Sequence, residues 1–265
     1  MSIRFLTTAL IVGALAWPAA SLSAAEKKPK KEEAGPMKLL VFSKTKGFRH
    51  DSIEVGVETV KKLGKDNGFM VDATEDSALF TVEVLKNYKV VMFLNTTGDV
   101  LDDTQQKVFE EYIRIGNGYV GVHSASDTEY DWPFYGQLVG AYFAGHPDQQ
   151  KAKLLVVDKK HPATAHLPDM WERFDEWYNF KKAPEGVNVL IKIDEKSYNP
   201  GGTAMGDNHP MCWYHTIDAG RSFYTASGHT KESYADPLFQ QHLLGGIMYV
   251  SGLLDKPDPK NKKKK

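Results

Sequence analysis

Lys89-Val90-Val91-Met92-Phe93-Leu94, followed at once by Asn95-Thr96-Thr97-Gly98, decides the fold. A half-buried strand alternates apolar and polar residues, whereas this run is apolar at every position after its leading lysine. It therefore reads as a strand covered on both faces, ended by a polar turn. Working back towards the N-terminus, Val82 to Asn87 predicts a short helix that starts after Thr81. Phe69 to Ala73 predicts a second strand. Ser52 to Asp66 carries apolar residues at Ile53, Val57, Val60 and Leu63, the spacing of a helix, with Ser52 as its cap and Asn67-Gly68 as its stop. Met37 to Ser43 is a further apolar strand. Working forwards, Asp102 to Ile115 is amphipathic and halts at Gly116-Asn117-Gly118, and Tyr119 to His123 is the next strand. Strands that alternate with helices and are apolar throughout imply a parallel sheet with helices on both sides. Beyond Gly145 the rhythm loosens, with strands expected at Ala152–Val157, Val187–Ile193, Met211–Thr216 and Ser222–Ser227, and a closing helix from Asp236 to Val250. The expectation is an α/β protein: one doubly wound domain on a mostly parallel sheet, with an elaborated C-terminal half.

The ends of the 265-residue chain are of a different kind. Arg4, the apolar run from Ala9 to Trp17, and small residues ending at Ser23-Ala24-Ala25 form the three parts of a secretory signal peptide. The run is shorter than the roughly 20 apolar residues a spanning helix needs. We therefore read residues 1–25 as an export signal cleaved after Ala25, which places the mature protein in the periplasm or outside the cell without stable membrane insertion. Residues 26–36 read as a charged linker, 37–254 as the domain, and 255–265 as a lysine-rich disordered tail. The net charge of −1 hides an imbalance. Between Met37 and Leu254 there are 22 basic and 29 acidic residues, a net charge of −7. Nucleic acid requires a basic footprint, so it is excluded as a partner. The single cysteine, Cys212, lies within an apolar strand and excludes a disulfide framework or an all-cysteine metal site.

In open α/β sheets ligands sit past the carboxyl ends of the strands. The residues there are Ser43 to His50, Asn95 to Gly98, and His123-Ser124-Ala125-Ser126-Asp127. Gly121-Val122-His123-Ser124-Ala125 has the form of a nucleophile elbow, a sharp turn that lifts one side chain above the sheet. Its apex is an imidazole, suited to general base or metal-ligand work; the alternative is a histidine satisfied within a tight turn. Taking Ser124 as the apex would suit a serine hydrolase, but its neighbours break the G-x-S-x-G pattern. Arg49 and His50 stand where a first loop meets ligand. Asp175-Glu176-Trp177-Tyr178 pairs acids with aromatic planes, a combination that suits a sugar or, equally, an interface. Nine histidines leave room for a mononuclear metal site drawn from His123, His146, His215 or His229 with a carboxylate. No HExxH or tightly spaced pair assigns one, so a divalent metal stays open as a cofactor.

Taken together, Gly47-Phe48-Arg49-His50-Asp51-Ser52-Ile53, Gly121 to Thr128, Gly145-His146-Pro147, Asp175 to Tyr178, and Gly220-Arg221-Ser222-Phe223-Tyr224 with Gly228-His229-Thr230 resemble the ThuA-like, or trehalose-utilisation, family. The resemblance runs from about Lys38 to Gly252. It implies a class I glutamine amidotransferase-like, flavodoxin-like fold. Related members of that fold carry a cysteine at the elbow where this chain has His123, so glutamine hydrolysis through a thiolate is not available to it. The resemblance further implies a small-molecule carbohydrate substrate, with processing of sugars oxidised at carbon 3. On that basis His123 is expected as base or ligand beside an enolate, with Glu176 or His229 as its proton partner. Arg49, His50, Asn95, Ser124, Asp127, His146, Trp177 and Tyr178 are expected to position the sugar. The alternative is a catalytically silent carbohydrate-binding protein on the same fold.

Overall fold

The computed structural model describes residues 1–2 and 35–255. The expected signal segment, most of the linker and the lysine tail after Asp255 lie outside the described residues. The first half alternates as the apolar runs require: β1 (Lys38–Phe42), α1 (Ile53–Asn67), β2 (Met70–Thr74), α2 (Val82–Leu85), β3 (Val90–Leu94), α3 (Asp103–Arg114) and β4 (Gly118–Val122). The second half holds α4 (Pro133–Val139), β5 (Phe143–Gly145), β6 (Gln150–Val156), β7 (Met170–Asp175), β8 (Asn179–Phe180), β9 (Asn188–Asp194), β10 (Pro210–Ile217), β11 (Gly220–Thr225), α5 (Lys231–Ala235) and α6 (Pro237–Ser251).

One nine-stranded sheet runs β2-β1-β3-β4-β11-β10-β9-β6-β7. From β2 to β11 neighbouring strands are parallel; from β11 to β7 they are antiparallel. Alternation along β3 sends Phe93 onto Phe109 of α3, with ring centroids 5.3 Å apart, while Leu94 lies against Gly56 of α1 on the other face. Helices thus cover both faces of the parallel half, which is why its strands are apolar at every position. The antiparallel half brings the edge strand β7 round to α6, where Trp171 lies edge-on to His242 and the Arg173 guanidinium sits 4.5 Å from the Phe239 ring centre.

Several local readings hold. Thr81 caps α2 through Val84 N, and Gly68 ends α1 in the left-handed conformation at φ 76°. The structure adds a capping box, not read from the sequence, in which Asp102 and Gln105 close the start of α3. One reading changes: Ser52 makes no capping bond to α1. Its hydroxyl instead accepts from Asn95 Nδ2 at 3.0 Å and turns towards Gly228 O, joining three loops at the carboxyl end of the sheet. Among the described residues no helix is long and apolar enough to cross a membrane.

Candidate functional site

Four loops at the carboxyl edge of the sheet converge. His50 follows β1, His123 follows β4, Glu176 follows β7 and His229 follows β11. One ligand-type atom from each lies within 4.8 Å of the others. The three imidazole rings stand edge-on to one another in a triangle, with centroids 4.9, 4.9 and 5.1 Å apart.

Each donor is aimed by its surroundings. His123 adopts φ 50°, the left-handed region that is costly for a side chain of this size and is held where the structure around it over-determines it. Its Nδ1–H donates to Ala226 O at 2.8 Å, so its Nε2 faces His229 Nδ1 at 3.1 Å and Glu176 Oε2 at 3.4 Å. His229 Nδ1 is 3.0 Å from the same carboxylate oxygen, and the Gln149 amide meets His229 Nε2 at 2.8 Å. Behind them Asp175 is fully buried. It accepts from the backbone N–H groups of Glu176, Gly228 and His229 at 2.9–3.0 Å and from the Ser233 hydroxyl at 2.8 Å, which fixes the two loops that carry Glu176 and His229.

Burial, with His123 and His229 beside it, pushes His50 down to about 2, so its ring is neutral near pH 7. Burial alone would raise the Glu176 carboxyl, but hydrogen bonds from His123 and His229 outweigh it and hold the group well below the usual carboxylate range. At His229 burial again opposes the outcome, and the Glu176 carboxylate raises the imidazole above its ordinary value.

A cavity of about 350 Å³ opens over this cluster, within the range of small-ligand sites. His50, Glu176 and His229 face it from below, and Phe48, Phe143 and Tyr178 form aromatic walls. His146, Asp127 and Gln149 stand around the rim. His146 Nδ1 is 3.3 Å from Glu176 Oε1, the oxygen turned away from the other histidines. Burial raises the Asp127 carboxyl, against a hydrogen bond from the Tyr130 hydroxyl. His123 itself is fully buried beneath Tyr178, whose ring centre is 4.1 Å away, and does not line the cavity.

Of the residues singled out from sequence, His50, His123, His146, Glu176, His229, Asp127 and Tyr178 gather here. Besides His123, four do not face the cavity. Arg49 lies half-exposed outside it, its guanidinium held by Glu54 and Glu75 at 2.8–3.0 Å. Trp177 is fully buried and donates its Nε1–H to Gln150 O. Asn95, at φ 51°, spends its amide on Ser52 Oγ and Gly228 O as a clamp between loops. Ser124, like Ser126, is fully buried, and the Ser124 hydroxyl lies 3.4 Å from His50 Nδ1, which leaves no exposed serine at the elbow for hydrolase chemistry. His215, a candidate for a metal set, bonds to Gln137 O and takes no part in the cluster. Conversely, Phe48, Phe143, Gln149 and the Asp175 clamp were not assigned from sequence. Phe48 left a signal as an aromatic in a polar loop two residues before His50, and Asp175 as the first acid of the Asp175-Glu176-Trp177-Tyr178 run.

A family model for ThuA, described as trehalose utilisation, matches residues 38–250. The chain belongs to the ThuA family. A ThuA-like protein from Bacteroides uniformis shares 23% identity and superposes with a TM-score of 0.68, over 84% of this chain and 95% of that one. Another from Parabacteroides merdae shares 21% identity at a TM-score of 0.69, over 85% and 94%. The exo-β-1,4-mannosidase Op5Man5 from an Opitutaceae bacterium contains the same fold over 37% of its length, at 11% identity and a TM-score of 0.52. A comparison with curated proteins returns no match. Membership of the ThuA family gives the chain a role related to carbohydrate utilisation.

Proposed function

We propose that this ThuA-family protein is an exported enzyme that cleaves a 3-keto-glycoside by elimination and rehydration. The observation that carries the reading is the cavity itself, an aromatic-walled hollow over a histidine–glutamate floor in a family tied to sugar use. Aromatic faces take the C–H faces of a pyranose, and charged and polar groups concentrated on one side suit one activated carbonyl.

The chemistry follows from the ketone. A carbonyl at C3 acidifies the C2 hydrogen, and a base removes it to leave an enolate whose charge rests on the C3 oxygen. The enolate then reforms the ketone as a C1=C2 double bond forms and the C1–O bond breaks, and an acid protonates the departing oxygen. Water adds at C1 and a proton returns to C2, so the sum is hydrolysis. The buried position of His123 removes it from direct proton transfer. His146, whose Nδ1–H donates to Pro147 O at 3.0 Å and lies 3.3 Å from Glu176, is the base in reach of the cavity, and Asp127, its carboxyl raised by burial, is the acid. The histidine cluster beneath stabilises the oxyanion.

The test is incubation of the purified protein with a 3-keto-disaccharide, with and without divalent ions. We expect release of the aglycone sugar and, in D₂O, deuterium at C2 of the keto product. His146→Asn should lower kcat by about 10²- to 10³-fold. Sugar binding without release under either condition would replace this reading with that of a carbohydrate-binding protein.

A further inference from the structure

We propose that His50, His123, Glu176 and His229 form a mononuclear centre for a divalent first-row transition ion of the zinc class. The inference stands on donor geometry and holds whatever sugar the cavity takes.

The first argument is distance. Donors about 2.1 Å from a shared ion lie about 3–3.5 Å from one another. The His123 Nε2, His229 Nδ1 and Glu176 Oε2 atoms are mutually 3.1, 3.4 and 3.0 Å apart, with a His50 nitrogen inside the same 4.8 Å cluster. Long side chains on four separate loops reach this spacing only if each is steered there.

The second argument is convergence on one point. The Nδ1–H of His123 is committed to Ala226 O, so its Nε2 is the ring atom turned to the cluster. The Glu176 carboxylate presents lone pairs to the same point. His229 Nδ1 meets both, at 3.1 and 3.0 Å, while the His50 ring adds a further imidazole edge. A shared cation satisfies all four at once. The carbonyl behind His123 Nδ1 is also the usual device for fixing the tautomer and orientation of a metal-binding imidazole.

The third argument is donor chemistry and access. Three imidazoles and one carboxylate, with no thiolate, favour zinc, cobalt, nickel, manganese or iron over magnesium and calcium, which prefer oxygen. Three of the four residues face the cavity, so a further coordination position opens towards it, where a carbonyl or water oxygen can bind.

The test uses the full chain stripped with a chelator and titrated with Zn²⁺ by calorimetry, with Co²⁺ as a spectroscopic probe in parallel. We expect saturable binding of one ion, a visible Co²⁺ band typical of nitrogen–oxygen ligation with fewer than six donors, and no competition from excess Mg²⁺. Glu176→Gln and His229→Ala should each weaken Zn²⁺ binding by about 100-fold or more, whereas His166→Ala, outside the cluster, should leave it unchanged. Absence of saturable Zn²⁺ binding by the unmodified chain would overturn the inference, as would one-to-one binding that survives both cluster substitutions. The Co²⁺ band is read on the unmodified protein, so a variant that failed to fold would leave the question answerable. Sugar release from a keto-disaccharide is a separate measurement, and either result can fail without the other.

Discussion

Asp175 has no exposure and no direct view of the cavity, yet more of the site's geometry depends on it than on any residue lining the hollow. Its two oxygens take four donors from the loops around it and lie 3.6 Å from Arg173, a guanidinium buried against Trp171 and Phe239. Asp175→Asn removes the negative charge and leaves Arg173 buried without its counter-ion. We expect a loss of about 3 kcal/mol or more in urea unfolding, the range for breaking a buried pair from one side. His123 was legible because a glycine-flanked apex after a strand is a local pattern, and local patterns survive in sequence. Arg49 and Trp177 were misplaced because whether a side chain points inwards depends on partners far along the chain. Glu75 lies 26 residues beyond Arg49, and the carbonyl that receives Trp177 lies 27 residues before it.

Among the elements, the strands and helices up to β4 were readable because apolar runs and caps are contiguous. The strand β7 was not. Its inward positions are Trp171, Arg173 and Asp175 and its outward ones Met170, Glu172 and Phe174, so charge lies inside and two of the three outward residues are apolar. A binary pattern inverted by a buried ion pair cannot be read as a strand without knowing the pair. The two-residue β8 and the short α5 offer too few residues for any period to emerge. The closing helix α6 was legible, but its reason for carrying Gly245-Gly246 was not. A Cβ on Gly245 would stand 2.4 Å from Ala163 N and Pro162 O, backbone atoms that have no rotamer to retreat into. Gly245→Ala should therefore destabilise the protein by about 2 kcal/mol, even though alanine is the better helix former by about 1 kcal/mol. Chemical denaturation of the two chains side by side gives the sign directly.

At the scale of the molecule, the doubly wound half was foreseeable from alternation, while the antiparallel return of β10, β9, β6 and β7 depends on pairings between residues up to 41 apart, such as Lys153 with Asp194, and was visible only as loosened rhythm. The core also carries buried histidines away from the site. Burial pushes His161 down to about 4 and His242 to about 3, against about 6.5 in the unfolded chain. Between those values the unfolded state holds protons that the folded state refuses. The stability linked to these rings is therefore complete above about pH 6.5 and declines as the pH falls towards 4, by up to about 1.4 kcal/mol per pH unit for each ring. Urea midpoints should fall from pH 7 to pH 5, and His242→Gln should flatten that slope.

The joining of the edge strand's last residues to the turn after β11 has a consequence for biosynthesis. Residues 50, 123, 176 and 229 can meet only after most of the 265-residue polypeptide has been made and the edge strand β7 has joined the sheet. A chain that ends before residue 229 lacks one member of the cluster, so the complete hollow is withheld until the turn after β11 has been made.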